Sequence, residues 1–436
     1  MKTSRICLNL VLIGCLLPVV AVPVSGKGMS KIEKLGKAIF SDRNLSLHRN
    51  QSCKSCHAPK AGWSGPDSDI NAKGAVFEGS VEGLFGNRKP PSAAYATQSP
   101  IFHGAEEAGE TLFIGGNFWD GRATGERLGN PAADQALGPF LNPVEQALPD
   151  AACVVKRVCT AKYAKRFKKV WGKQVCNIDF PENIDEICAD PQGIVELDEE
   201  NRRKVDAAYD RVGLSIAAFE ASSKVNAFSS KFDYYLAGRA ELSPLEKQGL
   251  ELFMGKGKCA NCHVLDGPRP LFTDFTYDNL GVPRNPENPW YRMTDFNPDG
   301  FDWIDVGLGG FLASRDDYSW FARENFGKQK VPTLRNVDKR PYPGFVKAYT
   351  HNGYFKSLKS LVHFYNTRDI KPRCDDPFTK ESDALAMGCW PAPEVPENVN
   401  TTELGDLGLT EQEEDAIVSF LKTLSDGYKT RRRKHH

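Results

Sequence analysis

The chain of 436 residues is long enough for two or three ordinary domains, and 40% hydrophobic with 26% charged residues puts it in the globular range, excluding disordered, collagen-like and multispan membrane classes. Lys plus Arg equals Asp plus Glu at 56 each, so net charge draws it toward neither nucleic acid nor an anionic membrane surface. The unusual count is 12 cysteines, to be divided among metal chemistry, disulfides and a leader.

In chain order the leader comes first. Lys2 and Arg5 precede an apolar run from Ile6 to Val24, which predicts a signal peptide over residues 1–26 and export to the oxidising periplasm. A retained anchor is the alternative, opposed by Pro18, Pro23 and the shortness of the run. Leu12-Ile13-Gly14-Cys15 resembles a lipoprotein processing site, which keeps a lipid-anchored or cell-surface form open. Cutting the leader removes Cys7 and Cys15 and leaves no membrane span in the mature chain.

Ser30 and Glu33 form a capping box opening a helix that closes at Phe40, and Ser243 with Glu246 repeats it before Phe253. Each box leads to a Cys-x-x-Cys-His group, Cys53-Lys54-Ser55-Cys56-His57 and Cys259-Ala260-Asn261-Cys262-His263. In such a group two cysteines bond the porphyrin vinyl groups and the histidine is forced under the iron, so two covalently bound haem c are expected. A shared four-cysteine zinc site is the competing reading; the pairs lie about 200 residues apart instead of about 12 to 20, and it leaves both histidines unexplained. Helical periodicity over Val205–Ala221 and Leu409–Leu424, the latter behind a Thr410–Glu413 capping box, closes each half. Two similar domains follow, 27–238 and 239–436, with the boundary near Ala237–Leu242.

An insert at 151–193 carries Cys153, Cys159, Cys176 and Cys188, and its basic, periodic part from Lys156 to Lys173 predicts one amphipathic helix with a solvated charged face. Cys374 and Cys389 flank a second segment. Removing four haem and two leader cysteines from the 12 leaves six, enough for three disulfides: two within the insert, in any of three pairings, and Cys374–Cys389.

The sixth ligand decides whether an iron only passes electrons or also binds peroxide. After His57 no histidine or methionine occurs before His103, so the first haem is expected to be open, with His103 the candidate to close it and His48 a loop residue.

Phe118-Trp119-Asp120-Gly121-Arg122, Gly138-Pro139-Phe140-Leu141-Asn142-Pro143-Val144-Glu145, Pro332-Thr333-Leu334-Arg335-Asn336-Val337 and His351-Asn352-Gly353 resemble the di-haem cytochrome c peroxidase/MauG family, over nearly the whole mature chain except the insert. The resemblance implies a mainly α fold of two cytochrome c-like domains with a haem pair near their interface, the N-terminal one peroxidatic and the C-terminal one an electron-transfer domain. It places the second iron's ligand fourteen residues after His351, at Tyr365. Methionine there marks bacterial cytochrome c peroxidases and tyrosine the MauG-like (MbnH-like) subgroup. A phenolate favours high-valent iron, and since tyrosine ionises near about pH 10, the iron must supply the deprotonation. The competing reading packs Tyr365 in the core and ligates through Met293 or His363. The family's blocking-loop histidine has no counterpart in 58–102, which agrees with an open first haem.

The resemblance further implies that Glu145 moves a proton on the distal side of the first haem, although Gln146 stands where the family has methionine, and that Trp119 relays electrons between the haems with Asp120 and Arg122 bracing its turn. A calcium ion between the haems is expected with an Arg-Asn-x-Pro ligand and carbonyls from 338–350. Here Asn87-Arg88-Lys89-Pro90-Pro91 has lysine at the ligand position, leaving Asn87 as the candidate. The function implied is oxidation, with hydrogen peroxide at the open haem, of a tryptophan or tyrosine in a partner protein. Two alternatives stand beside it: peroxide detoxification with small cytochrome donors, and a non-enzymatic dihaem electron-transfer protein.

Overall fold

The computed structural model describes residues 28–107 and 109–429; the expected leader, with Cys7 and Cys15, lies outside the described residues. Ser30 and Ser243 each accept from the backbone of Glu33 and Glu246, whose carboxylates bond back to the cap, and so start the helices Lys31–Phe40 and Pro244–Met254. Each opening helix packs on the closing helix of its half, Glu199–Glu220 in the first and Glu411–Lys422 in the second. The approach requires glycine at equivalent positions. A Cβ on Gly36 would run into the Ser215 carbonyl, and one on Gly249 into the Ala416 carbonyl. Beside these crossings Phe40 meets Phe219 edge-on at 5.4 Å between ring centres, and Phe253 meets Phe420 at 5.2 Å. The sequence repeat is thus also a packing repeat.

The first closing helix begins earlier than its apolar periodicity, at Glu199, because Asp198 accepts from the Asn201 N–H at 2.7 Å and caps a polar first turn. One hydrophobic core draws on Leu35 to Val225 and the other on Phe232 to Leu424. Between them the helix Lys231–Leu236 ends before Gly238 (φ 66°), and Ser243 caps the next. The fold is mainly α, two cytochrome c-like domains, with two small two-stranded antiparallel sheets, 103–107 with 110–114 and 277–278 with 329–330. A third apolar cluster joins Phe102 and Phe113 of the first hairpin to Tyr277, Leu308 and Leu312.

The insert departs from expectation. In place of one helix over 156–173 there are two, Ala151–Thr160 and Ala164–Trp171. The break follows from its anchors: Arg157 donates to the carbonyls of Asn44, Ser46 and Cys188, and the Tyr163 hydroxyl donates to Asp42 at 2.7 Å, which turns the chain after Thr160. Disulfides Cys153–Cys188 and Cys159–Cys176 fix the result, and Cys374–Cys389 closes the later segment. Lys165, Lys168 and Lys169 are exposed, a solvated face. No helix among the described residues is long and apolar enough to cross a membrane.

Candidate haem sites

The cysteines left free among the described residues are Cys53, Cys56, Cys259 and Cys262. Both Cys-x-x-Cys segments are single helical turns, in which the amide of the following histidine donates to the first cysteine's carbonyl at 2.9 Å. That turn sets both sulfurs and the imidazole against one cavity in each half. His57 Nδ1 lies 3.2 Å from the Trp63 carbonyl, and His263 Nδ1 lies 2.8 Å from the Phe272 carbonyl. A carbonyl only accepts, so Nδ1 carries the proton and Nε2 keeps its lone pair for a metal. Burial pushes the His57 imidazole down to about 4, and burial lowers His263 as well, so both are the neutral, ligating form near pH 7. Burial pushes the Cys56 and Cys259 thiols up to about 12, and the two cysteine pairs line different cavities, which opposes a shared four-cysteine zinc site.

The first cavity, about 340 Å³, is walled by Phe40, Phe77, Phe118 and Ile216 around Cys53, Cys56 and His57. His57 is its one histidine among the described residues, and no methionine lines it. His103 sits on the exposed hairpin with Nδ1 tied to the Ile101 carbonyl at 2.8 Å, and His48 is an exposed loop residue; neither reaches this cavity. Glu145 does, with Asn142 Nδ2 donating to its Oε2 at 3.2 Å and burial raising its carboxyl despite the opposing Arg122 charge. A second acid, Glu220, lines the same cavity from the end of the closing helix. It is 3% exposed, its Oε2 has no hydrogen-bond partner, and burial lifts it to about 8. Sequence reasoning missed it, since a glutamate ending a helix reads as a surface residue.

The second cavity, about 190 Å³, gathers Cys259, Cys262 and His263 with Leu361 and Tyr365 of the helix Leu358–Thr367. Burial raises the Tyr365 phenol, the nearby Cys259, Cys262 and Asp278 act in the same direction, and Arg368 opposes them. The rival ligands lie elsewhere. His363 Nδ1 is bonded to Glu414 at 2.9 Å, and the Met293 sulfur accepts from the Phe85 amide at 3.2 Å. Met254 and Met387 are 53% and 61% exposed. His351 borders the cavity, but its Nε2 faces Glu394 at 3.3 Å.

The two cavities share a wall formed by Trp119, Lys89, Pro91, Lys330 and Pro332. Trp119 is held from both sides: its Nε1 donates to the Lys89 carbonyl at 2.8 Å, and its own carbonyl accepts from the Lys330 amide at 2.7 Å. Arg88 braces that wall across the two halves, donating to Asp120 at 2.6 Å and to Asp305 at 2.6 and 2.7 Å; Asp120 also pairs with Arg122 at 2.7 Å. These arginines hold both carboxylates below the usual range against the cost of burial.

Residues 30–241 match the family described as di-haem cytochrome c peroxidase. The methylamine utilization protein MauG of Paracoccus denitrificans is 30% identical over 95% of this chain and 95% of its own, and the cytochrome-c peroxidase IdrP1 of Denitromonas iodatirespirans is 26% identical over 94% of this chain and 85% of its own. The crystal structure of the diheme peroxidase BthA from Burkholderia thailandensis superposes with a TM-score of 0.70 at 27% identity, covering 92% of this chain and 87% of that one. With two cavities that each offer a thiol pair and a neutral histidine, the chain fits two haem c groups. It belongs to the di-haem cytochrome c peroxidase/MauG family of oxidoreductases.

Proposed function

We propose that the protein is a periplasmic, MauG-like oxidase that uses hydrogen peroxide to oxidise a tryptophan or tyrosine of a partner protein through its haem pair. Haem c at the first site would supply an iron with an open coordination position on which the peroxide oxygen–oxygen bond can break. Cys53, Cys56 and His57 would hold it, and Cys259, Cys262, His263 and Tyr365 the second. The Glu145 carboxylate takes the proton from the bound peroxide oxygen and returns it to the departing one, with Asn142 Nδ2 steadying Oε2. Two electrons and two protons convert the peroxide to two waters, and the partner residue loses both electrons. Trp119, in the wall common to both cavities, is the relay between them. Tyr365 gives the second site an anionic oxygen ligand once a cation there offsets the burial that otherwise keeps the phenol protonated.

The observation that carries this reading is the pairing of a first cavity whose one histidine, among the described residues, is that of its Cys-x-x-Cys-His group with a second cavity lined by a tyrosine. Relatives named cytochrome-c peroxidases favour a second reading, detoxification of peroxide with electrons from small cytochromes. Peroxide added to the holoprotein together with an exported-protein fraction separates the two. The oxidase reading expects mass shifts at tryptophan or tyrosine of one co-purifying protein and slow turnover of reduced small cytochromes; rapid cytochrome turnover with no protein modification overturns it.

A further inference from the structure

The two stretches expected to supply calcium ligands each carry a lysine, Lys89 at the motif's ligand position and Lys347 within 338–350. The Asn87 main-chain carbonyl accepts from Asn288 Nδ2 at 2.8 Å, and the carboxylates Asp120 and Asp305 are both committed to Arg88. Among the described residues the one trio of His, Cys, Asp or Glu side chains close enough to share an ion is Cys262, Asp278 and Glu403, which uses a haem-attachment cysteine. Calcium takes about six to eight oxygens, and the two carboxylates that meet Arg88 are taken up by its guanidinium instead.

A carbonyl cage does exist, and a lysine fills it. Lys347 is 7% exposed, and its Nζ donates to the backbone oxygens of Ala61 at 2.8 Å, Asn336 at 3.0 Å and Lys339 at 3.2 Å. The acidic group that acts on it, Asp338, is paired with Arg340 at 2.9 Å. Three converging carbonyls are the ligands of a hard cation, here satisfied by the three N–H donors of an ammonium. Lys89 is a second, half-buried ammonium, with one carbonyl contact instead of three. It lines both cavities, its Nζ stands 5.5 Å from the Trp119 ring centre and donates to the Pro90 carbonyl at 3.3 Å, and among the described residues no carboxylate pairs with it. Burial lowers both groups, Lys347 to about 7 and Lys89 to about 8; the Lys89 charge lowers Lys347 further against the pull of Asp338, and Lys356 lowers Lys89. Each haem c brings two propionate carboxylates, which are anions of the kind these two cations lack.

We propose that Lys89, in the wall between the two haem sites, and Lys347, beside the second, form a built-in cationic centre once the haem carboxylates face them, standing in place of a bound calcium ion and keeping Trp119 beside a positive charge. The two lysines balance the porphyrin carboxylates and hold the potentials of both haems up, since a neighbouring positive charge favours the reduced iron.

The test uses the full holoprotein, assayed for calcium by elemental mass spectrometry before and after EGTA, with haem spectra and midpoint potentials recorded alongside. The expected result is no stoichiometric calcium, spectra unmoved by the chelator, and midpoint potentials that fall in Lys89→Gln and are restored in Lys89→Arg. One calcium per chain whose removal alters the haem spectrum overturns the proposal, as do unchanged potentials in Lys89→Gln. Lys347→Met should lower the potential of the second haem, and if that variant fails to fold the calcium content and the Lys89 pair still decide. Neither readout involves peroxide or a partner, so the outcome is independent of what the haem pair oxidises.

Discussion

Tyr365 and Glu220 present the same electrostatic problem with different solutions. Burial pushes the Tyr365 phenol up, and only a cation in the His263 cavity can draw out the phenolate. Tyr365→His should therefore keep both haems attached yet lose the long-lived spectral change on adding peroxide; an unchanged peroxide spectrum would remove Tyr365 as the ligand. Glu220 has no such partner. Its folded value of about 8 lies above its ordinary 4.5, so the folded chain binds the extra proton and stability falls as pH rises from about 4.5 through about 8. Glu220→Gln should flatten that dependence and stabilise the alkaline holoprotein by on the order of a few kcal/mol in denaturant unfolding at pH 9 against pH 5. A parallel pH profile in the variant contradicts the assignment. The haem cysteines and histidines were legible in the sequence because their chemistry needs contiguous residues. Glu220 and Lys347 were not, because a cavity wall is assembled from positions far apart in the chain and neither has a local pattern; Lys89 stood out only as a departure from a motif.

The helix pairs carry the fold, and their closeness rests on Gly36 and Gly249, where a side chain would strike the carbonyl of the facing helix. Gly249→Ala should separate the opening and closing helices of the second half and cost about 1–3 kcal/mol, read by thermal unfolding of the holoprotein; a variant as stable as the parent would show that the crossing yields freely. Capping boxes made these helix starts readable, since Ser30, Ser243 and Thr410 each signal through a glutamate three residues on. The insert was misread for the opposite reason. Periodicity runs unbroken from Lys156 to Lys173, while the turn between its two helices is set by tertiary bonds from Arg157 and Tyr163 to the segment Asp42–Ser46.

At the scale of the molecule, two similar halves place two cavities back to back with one tryptophan in the wall between them. The halves are tied at that wall by Arg88, which bonds Asp120 of the first and Asp305 of the second. Duplication alone would give two equivalent sites, and the asymmetry comes from what lines each cavity: Glu145 and Glu220 in the first, Tyr365 in the second. In the proposed reading that difference is what makes an oxidase, with one iron free to react, out of a pair of electron carriers. Electron paramagnetic resonance of the as-isolated ferric holoprotein tests it most directly. One high-spin haem and one low-spin haem, the low-spin signal altered in Tyr365→His, is the predicted result; two low-spin haems inert to peroxide would contradict it.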